Sequence, residues 1–143
     1  MARRLLRSGF MLRILIATSL LCACTNNDDP IADELDQAIE NSVTDCGDLL
    51  FGNGGNCPVL DPADAIACFN SSENPRIKQT MISIEGDPII DHFFGPNAPA
   101  VVRFHDTRQD AFGAQELTRS DCRALAVSDS AVGPNCKFVV CGE

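Results

Sequence analysis

The chain contains no tryptophan and no tyrosine. Stacking platforms for sugars or bases, and the usual aromatic anchors of protein interfaces, would have to come from its eight phenylalanines. Cations are scarce as well. Lys and Arg total 11 against 20 Asp and Glu, for a net charge of −9 and a pI near 4.5. That balance excludes nucleic acid as a partner, because phosphate binding needs clustered cations. No apolar run approaches the roughly 20 residues needed to span a bilayer. With two histidines in all, metal and acid–base chemistry has few places to start. At 143 residues and 15.4 kDa there is room for one domain, not two.

Against these shortages stand a 45% apolar content, ordinary for a folded protein, and eight cysteines. The N-terminus explains two of the eight. Arg3, Arg4, Arg7 and Arg13 precede an apolar run, Ile14-Leu15-Ile16-Ala17-Thr18-Ser19-Leu20-Leu21, which ends in Cys22-Ala23-Cys24 before a polar stretch. A basic start, a short apolar segment and small residues at its end describe an export signal. Met11 would serve equally well as the start of a shorter signal. Leu21-Cys22-Ala23-Cys24 resembles the lipobox of bacterial lipoproteins: an aliphatic residue three before, a small one just before, then the cysteine that is acylated. Cys22 departs from the usual Ala, Ser or Thr at its position. Cutting at Cys22 would set Leu21 where a small residue belongs, so Cys24 is the expected lipidation site. The resemblance implies removal of residues 1–23 and anchoring through the membrane by acyl chains, since more than one chain is needed to hold stably. It also implies an extracytoplasmic place in the bacterial cell envelope. Thr25 resembles the pattern that sorts to an outer membrane where the host has one. Four of the 11 basic residues leave with the signal and no acid does, so the mature chain has 7 against 20, a charge of −13. Such acidity repels anionic lipid, leaving the anchor to do the holding.

Residues 24–45 are expected to be the lipidated cysteine and an acidic tether. Ile31, Leu35, Ile39 and Val43 recur every four residues, along one helical stripe, with Asp29 and Pro30 suited to start a helix. A partly helical spacer that docks weakly is favoured over a docking helix. Residues 46–143 form the expected disulfide-rich domain, with cysteines at 46, 57, 68, 122, 136 and 141. An even number in an exported chain implies three disulfides, with 15 possible pairings. No C-x-x-C pair exists among them, which argues against zinc.

Asp61-Pro62-Ala63-Asp64 is a strong helix start, and Ala65, Ile66 and Phe69 share a face with Cys68 beside them. Gly52-Asn53-Gly54-Gly55-Asn56 is a turn without the spacing or the lysine of a phosphate loop. Residues 76–85, 89–94, 100–105 and 137–141 read as strands separated by turns at Gly86-Asp87-Pro88, Gly95 to Pro99 and Gly133-Pro134-Asn135. Pairing Phe94 with Ala100 sets Asp91 opposite Arg103 and His92 opposite Val102. The fold class expected is α+β: one helix packed on a small antiparallel sheet of three to four strands, stapled by disulfides.

Glu85-Gly86-Asp87-Pro88-Ile89, Asp106-x-x-x-Asp110-x-Phe112-Gly113, Cys122 and Cys141-Gly142 together resemble an uncharacterised family of small secreted bacterial lipoproteins, a domain of unknown function. The likeness covers residues 76–141. Its two late cysteines imply a Cys122–Cys141 bridge. Beside it, Cys46–Cys68 and Cys57–Cys136 are the favoured pairs. Cys46, Cys57, Cys68 and Cys136 depart from the family pattern, and the family carries no activity to transfer.

Chemistry-bearing groups are few. In the register above, His92 and His105 point to opposite faces, against a two-histidine metal site. His105 and Asp106 are adjacent strand residues and cannot face each other. None of Ser83, Ser120, Ser128 or Ser130 sits in a glycine-flanked elbow, and pairing of all six cysteines leaves no thiol nucleophile. A small hydrolase is therefore the least favoured reading. Glu85, Asp87, Asp106 and Asp110 are candidate oxygen ligands for a hard cation such as calcium. Turn-shaping by side-chain hydrogen bonds explains them more simply, so no metal or cofactor is expected. Asn70-Ser71-Ser72 matches a glycosylation sequon and reads as a polar loop. The function expected is a lipid-anchored, non-catalytic envelope or interaction module, with the membrane and a protein as its partners. A small ligand- or calcium-binding domain is the alternative.

Overall fold

A computed structural model describes residues 29–52, 56–83, 85–95, 100–129 and 136–142. The expected leader 1–23, the lipidation site Cys24 and the turn residues 53–55, 96–99 and 133–135 lie outside the described residues.

Two helices begin by the same local chemistry. In α1 (Pro30–Asn41) the Ile31 N–H donates to the Asp29 carboxylate at 3.0 Å, and in α2 (Pro62–Ser71) the Ala63 N–H donates to Asp61 at 2.8 Å. Each aspartate satisfies an orphan donor, and each following proline fixes φ where no N–H is needed. The strands are β1 (Thr44–Phe51), β2 (Pro75–Ile82), β3 (Pro88–Phe94), β4 (Val101–Asp106), β5 (Leu117–Cys122), β6 (Ala124–Asp129) and β7 (Lys137–Gly142). The first five form one sheet in the order β1-β2-β3-β4-β5, and β6 pairs with β7 in a separate hairpin. β1 runs parallel to β2, with α2 as the crossover that a parallel pair requires, and the other neighbours are antiparallel. β1 bulges between Asp45 and Asp48, where Gly47 takes φ +133° and a side chain would run into Leu60.

The sheet buries both faces. On one, Leu49, Phe51, Ile77 and Phe93 pack against Ala65 and Phe69 of α2 and Val139 of β7. On the other, Phe94, Phe104 and Leu117 receive Leu35 of α1. Three disulfides join Cys46 to Cys68, Cys57 to Cys136 and Cys122 to Cys141, with Cα atoms 5.6, 5.1 and 5.3 Å apart. Cross-links at this density mark a chain that folds in an oxidising, extracytoplasmic environment. No helix among the described residues is long and apolar enough to cross a membrane.

The α+β class holds, but the architecture is richer in strand than the sequence led us to expect. Two helices replace one, and five strands with a parallel pair replace an antiparallel sheet of three or four. The acidic segment read as a spacer contains α1, docked through a buried Leu35, so the folded body starts before Cys46. Phe94 pairs with Val102, not Ala100, which shifts the β3–β4 register by two residues. Because the side-chain period is also two, the faces are unchanged: His92 and His105 do lie on opposite sides.

Candidate functional site

One end of the sheet gathers most of the polar chemistry. There β2 ends and β3 begins, joined by the turn 83–87; β4 ends and β5 begins, joined by the loop 107–116. The turn is closed by the Ser83 N–H to the Asp87 carbonyl at 2.9 Å and the Gly86 N–H to the Ser83 carbonyl at 3.0 Å. The loop is closed at its base by Thr107, whose N–H and hydroxyl both reach the Glu116 carbonyl. The two meet where the Ala111 N–H donates to Asp87 Oδ2 at 3.2 Å.

Three of the four candidate carboxylates have separate local tasks. Asp106 accepts from the Arg108 backbone N–H at 3.0 Å and from its guanidinium at 2.9 and 2.7 Å. The Arg108 hydrogen bonds, outweighing burial, hold the Asp106 carboxyl below the ordinary range. Asp110 Oδ1 accepts from the Phe112 N–H at 3.1 Å, and Gly113 leaves the space its carboxylate occupies, since an added Cβ there would collide with it. Asp87 orients the loop through Ala111, and Glu85 is exposed. The spacing of Asp106, Asp110, Phe112 and Gly113 is thus accounted for by turn construction. Among the described residues no three acidic, histidine or cysteine side chains converge to hold a metal.

Beside this end, on the face under α2, lies a cluster that the sequence reading missed. Asp91 Oδ1 accepts from Arg103 Nε at 2.8 Å and lies 2.8 Å from His105 Nδ1. The Asp91 side chain is 3% exposed, while Arg103 and His105 are each 32% exposed. Arg103 Nη2 also lies 3.3 Å from His105 Nδ1, so the three side chains form one cluster around the Asp91 carboxylate. Asp91 fixes the orientation of the His105 imidazole, and among the described residues no hydroxyl or thiol is hydrogen-bonded to that ring. The observed register puts His105 directly opposite Asp91 and leaves Arg103 to reach it diagonally. Charge complementarity alone pointed to Asp91 and Arg103, and the histidine became visible only with the true pairing.

His92, on the opposite face, is stacked 6.2 Å from Phe94. Burial pushes its imidazole below the ordinary value, and Lys78 and Arg76 push the same way. The sequon residues Asn70 and Ser71 belong to the last turn of α2, where the Ser71 hydroxyl donates to the Ala67 and Cys68 carbonyls. Compared with known proteins, the chain matches no family model, no curated protein and no solved structure.

Proposed function

We propose that this protein is a lipid-anchored extracytoplasmic module that works by binding a protein partner in the cell envelope, and that it belongs with the small secreted bacterial lipoproteins whose motifs it resembles. One observation carries the reading. Every cysteine from Cys46 onward is consumed by another of the same six, so none of them is left to pair with Cys24. A cysteine at the end of an export signal, surplus to the disulfide framework of an oxidised domain, is the residue that acylation uses. The engaged carboxylates, and an imidazole with no hydroxyl or thiol partner among the described residues, favour a binding role over a catalytic one.

Metabolic labelling with palmitate tests the anchor. The expected result is label in the native chain and none in Cys24→Ala, together with no alkylatable thiol in the native, unreduced protein. An unlabelled native chain, or a free thiol in it, overturns the reading.

A further inference from the structure

The Leu35 side of α1 lies on Phe104 and Leu117, and Arg119 Nε reaches Glu34 at 2.6 Å. Past α1, the Val43 N–H reaches the Asn74 carbonyl, next to the start of β2. The helix therefore begins at the end of the sheet that carries the turn 83–87 and the loop 107–116, and finishes at the opposite end. Asp29 and Asp36 act electrostatically on Arg108, as that placement requires. Four residues separate Asp29 from Cys24, so the five steps between them span at most about 17 Å of extended chain. The opposite end of the sheet lies about 20 Å further along a six-residue strand.

The same end exposes apolar side chains that nothing in the fold explains. Phe112, at the tip of the loop, is 78% exposed. Leu50 is 55% exposed and stands in the row Leu50-Thr80-Ile90-Asp106-Leu117, the row from which that loop springs. We infer that this end of the sheet is the surface the protein turns toward the bilayer holding its own lipid, with Phe112 touching the interface. The inference rests on the proposed acylation of Cys24. The short tether keeps this end near the lipid, and Phe112 presents apolar area where it gains most from leaving water. The surrounding Glu85, Asp87, Asp110 and Glu116 keep the contact shallow and set the surface against zwitterionic headgroups in preference to anionic ones.

The absence of tryptophan and tyrosine makes the test clean, because an introduced tryptophan reports alone. The full chain is expressed as Phe112→Trp and, at the opposite end, as Val43→Trp, a position 69% exposed. The membrane-borne form is checked for acyl groups by mass and reconstituted into phosphatidylcholine vesicles with and without lipids brominated near the glycerol end of the chains. F112W is expected to emit at shorter wavelength and to lose most of its emission to bromine, while V43W keeps its emission. Leu50→Trp, expected to respond as F112W does, decides the matter if F112W fails to fold. An acylated protein whose F112W ignores bromine overturns the inference and leaves the anchor standing; blue-shifted but unquenched emission, marking burial against protein, does the same. Equal quenching at both ends overturns a fixed orientation. A chain without acyl groups overturns the anchor and this inference with it.

Discussion

Replacing Gln79 by leucine isolates the contact that joins the β6–β7 hairpin to the central sheet. Gln79 is 2% exposed and Val139 1%. The Gln79 amide donates to the Val139 carbonyl at 3.3 Å, and its oxygen accepts the Val139 N–H at 2.9 Å. Since both backbone groups of Val139 point to Gln79, its pairing with Val127 across the hairpin is of the kind without hydrogen bonds, and the amide serves β7 as a further strand would. Leucine has nearly the same size and leaves both groups buried and unmatched, at roughly 1–3 kcal/mol each. Recovering the cost of burying the amide itself brings the net loss to about 2–4 kcal/mol. Urea unfolding of the oxidised protein reads that number, and hydrogen exchange at the Val139 amide reads its cause. Gln79→Glu should fall further, because it keeps the acceptor, loses the donor and buries a charge. A leucine variant within about half a kcal/mol of the parent, with Val139 still protected, would refute the reasoning.

Three further outcomes follow from the same geometry. Replacing cysteine pairs by serine should rank by loop length: Cys57–Cys136, at a sequence separation of 79, costs about 4.5 kcal/mol, against about 3.2 for Cys122–Cys141 at 19, both read from urea unfolding. Burial holds the folded-state pKa of His92 below its ordinary 6.5, so its contribution is complete above that pH and is lost as pH falls through the folded-state value. The drop in urea midpoint between pH 7 and pH 5 should therefore be smaller in His92→Gln, since Asp106 and Asp45, both held below the ordinary 3.8, titrate under that window; an equal drop rejects the assignment. In the Asp91 cluster, Arg103→Met should cost about 2–3 kcal/mol and Asp91→Asn less, because the first leaves a buried carboxylate with His105 as its remaining partner and the second leaves two side chains that water reaches; the reverse order in urea unfolding would contradict this.

What could be read from the sequence was local. Asp29-Pro30 and Asp61-Pro62 announce their helices because a cap and a fixed φ act within three residues. β3, β4 and β7 show their apolar runs plainly. β1 does not, since Gly47 and the bulge break its alternation, and β5 has four exposed residues between two buried ends. Missing β5 had a consequence for α1. The apolar stripe Ile31-Leu35-Ile39 had no visible partner, because the Phe94-Phe104-Leu117 surface exists only once β5 lies beside β4. The Asp91–His105 contact was illegible for a related reason. Closing the β3–β4 loop two residues too early sets Arg103 opposite Asp91 and satisfies the charge, while face periodicity cannot tell the two registers apart.

The disulfides are distributed in a way that bears on how an anchored chain would carry load. Five of the six cysteines pack in or against the core on the α2 face, while the α1 face has no bridge among the described residues. A 12-residue helix is marginal alone in water, so α1 persists only while docked. Its exposed Glu34–Arg119 ion pair adds at most about 1 kcal/mol, which leaves Leu35 and its neighbours to hold it. Those neighbours are Phe104 on β4 and Leu117 on β5, and β5 ends in Cys122, bridged to Cys141 on β7. A pull on the N-terminus thus meets the weakest docking first. It then passes along the chain into β1, where Cys46 is bridged to Cys68 on α2, so α1 can peel and redock while the stapled layer beneath it stays folded.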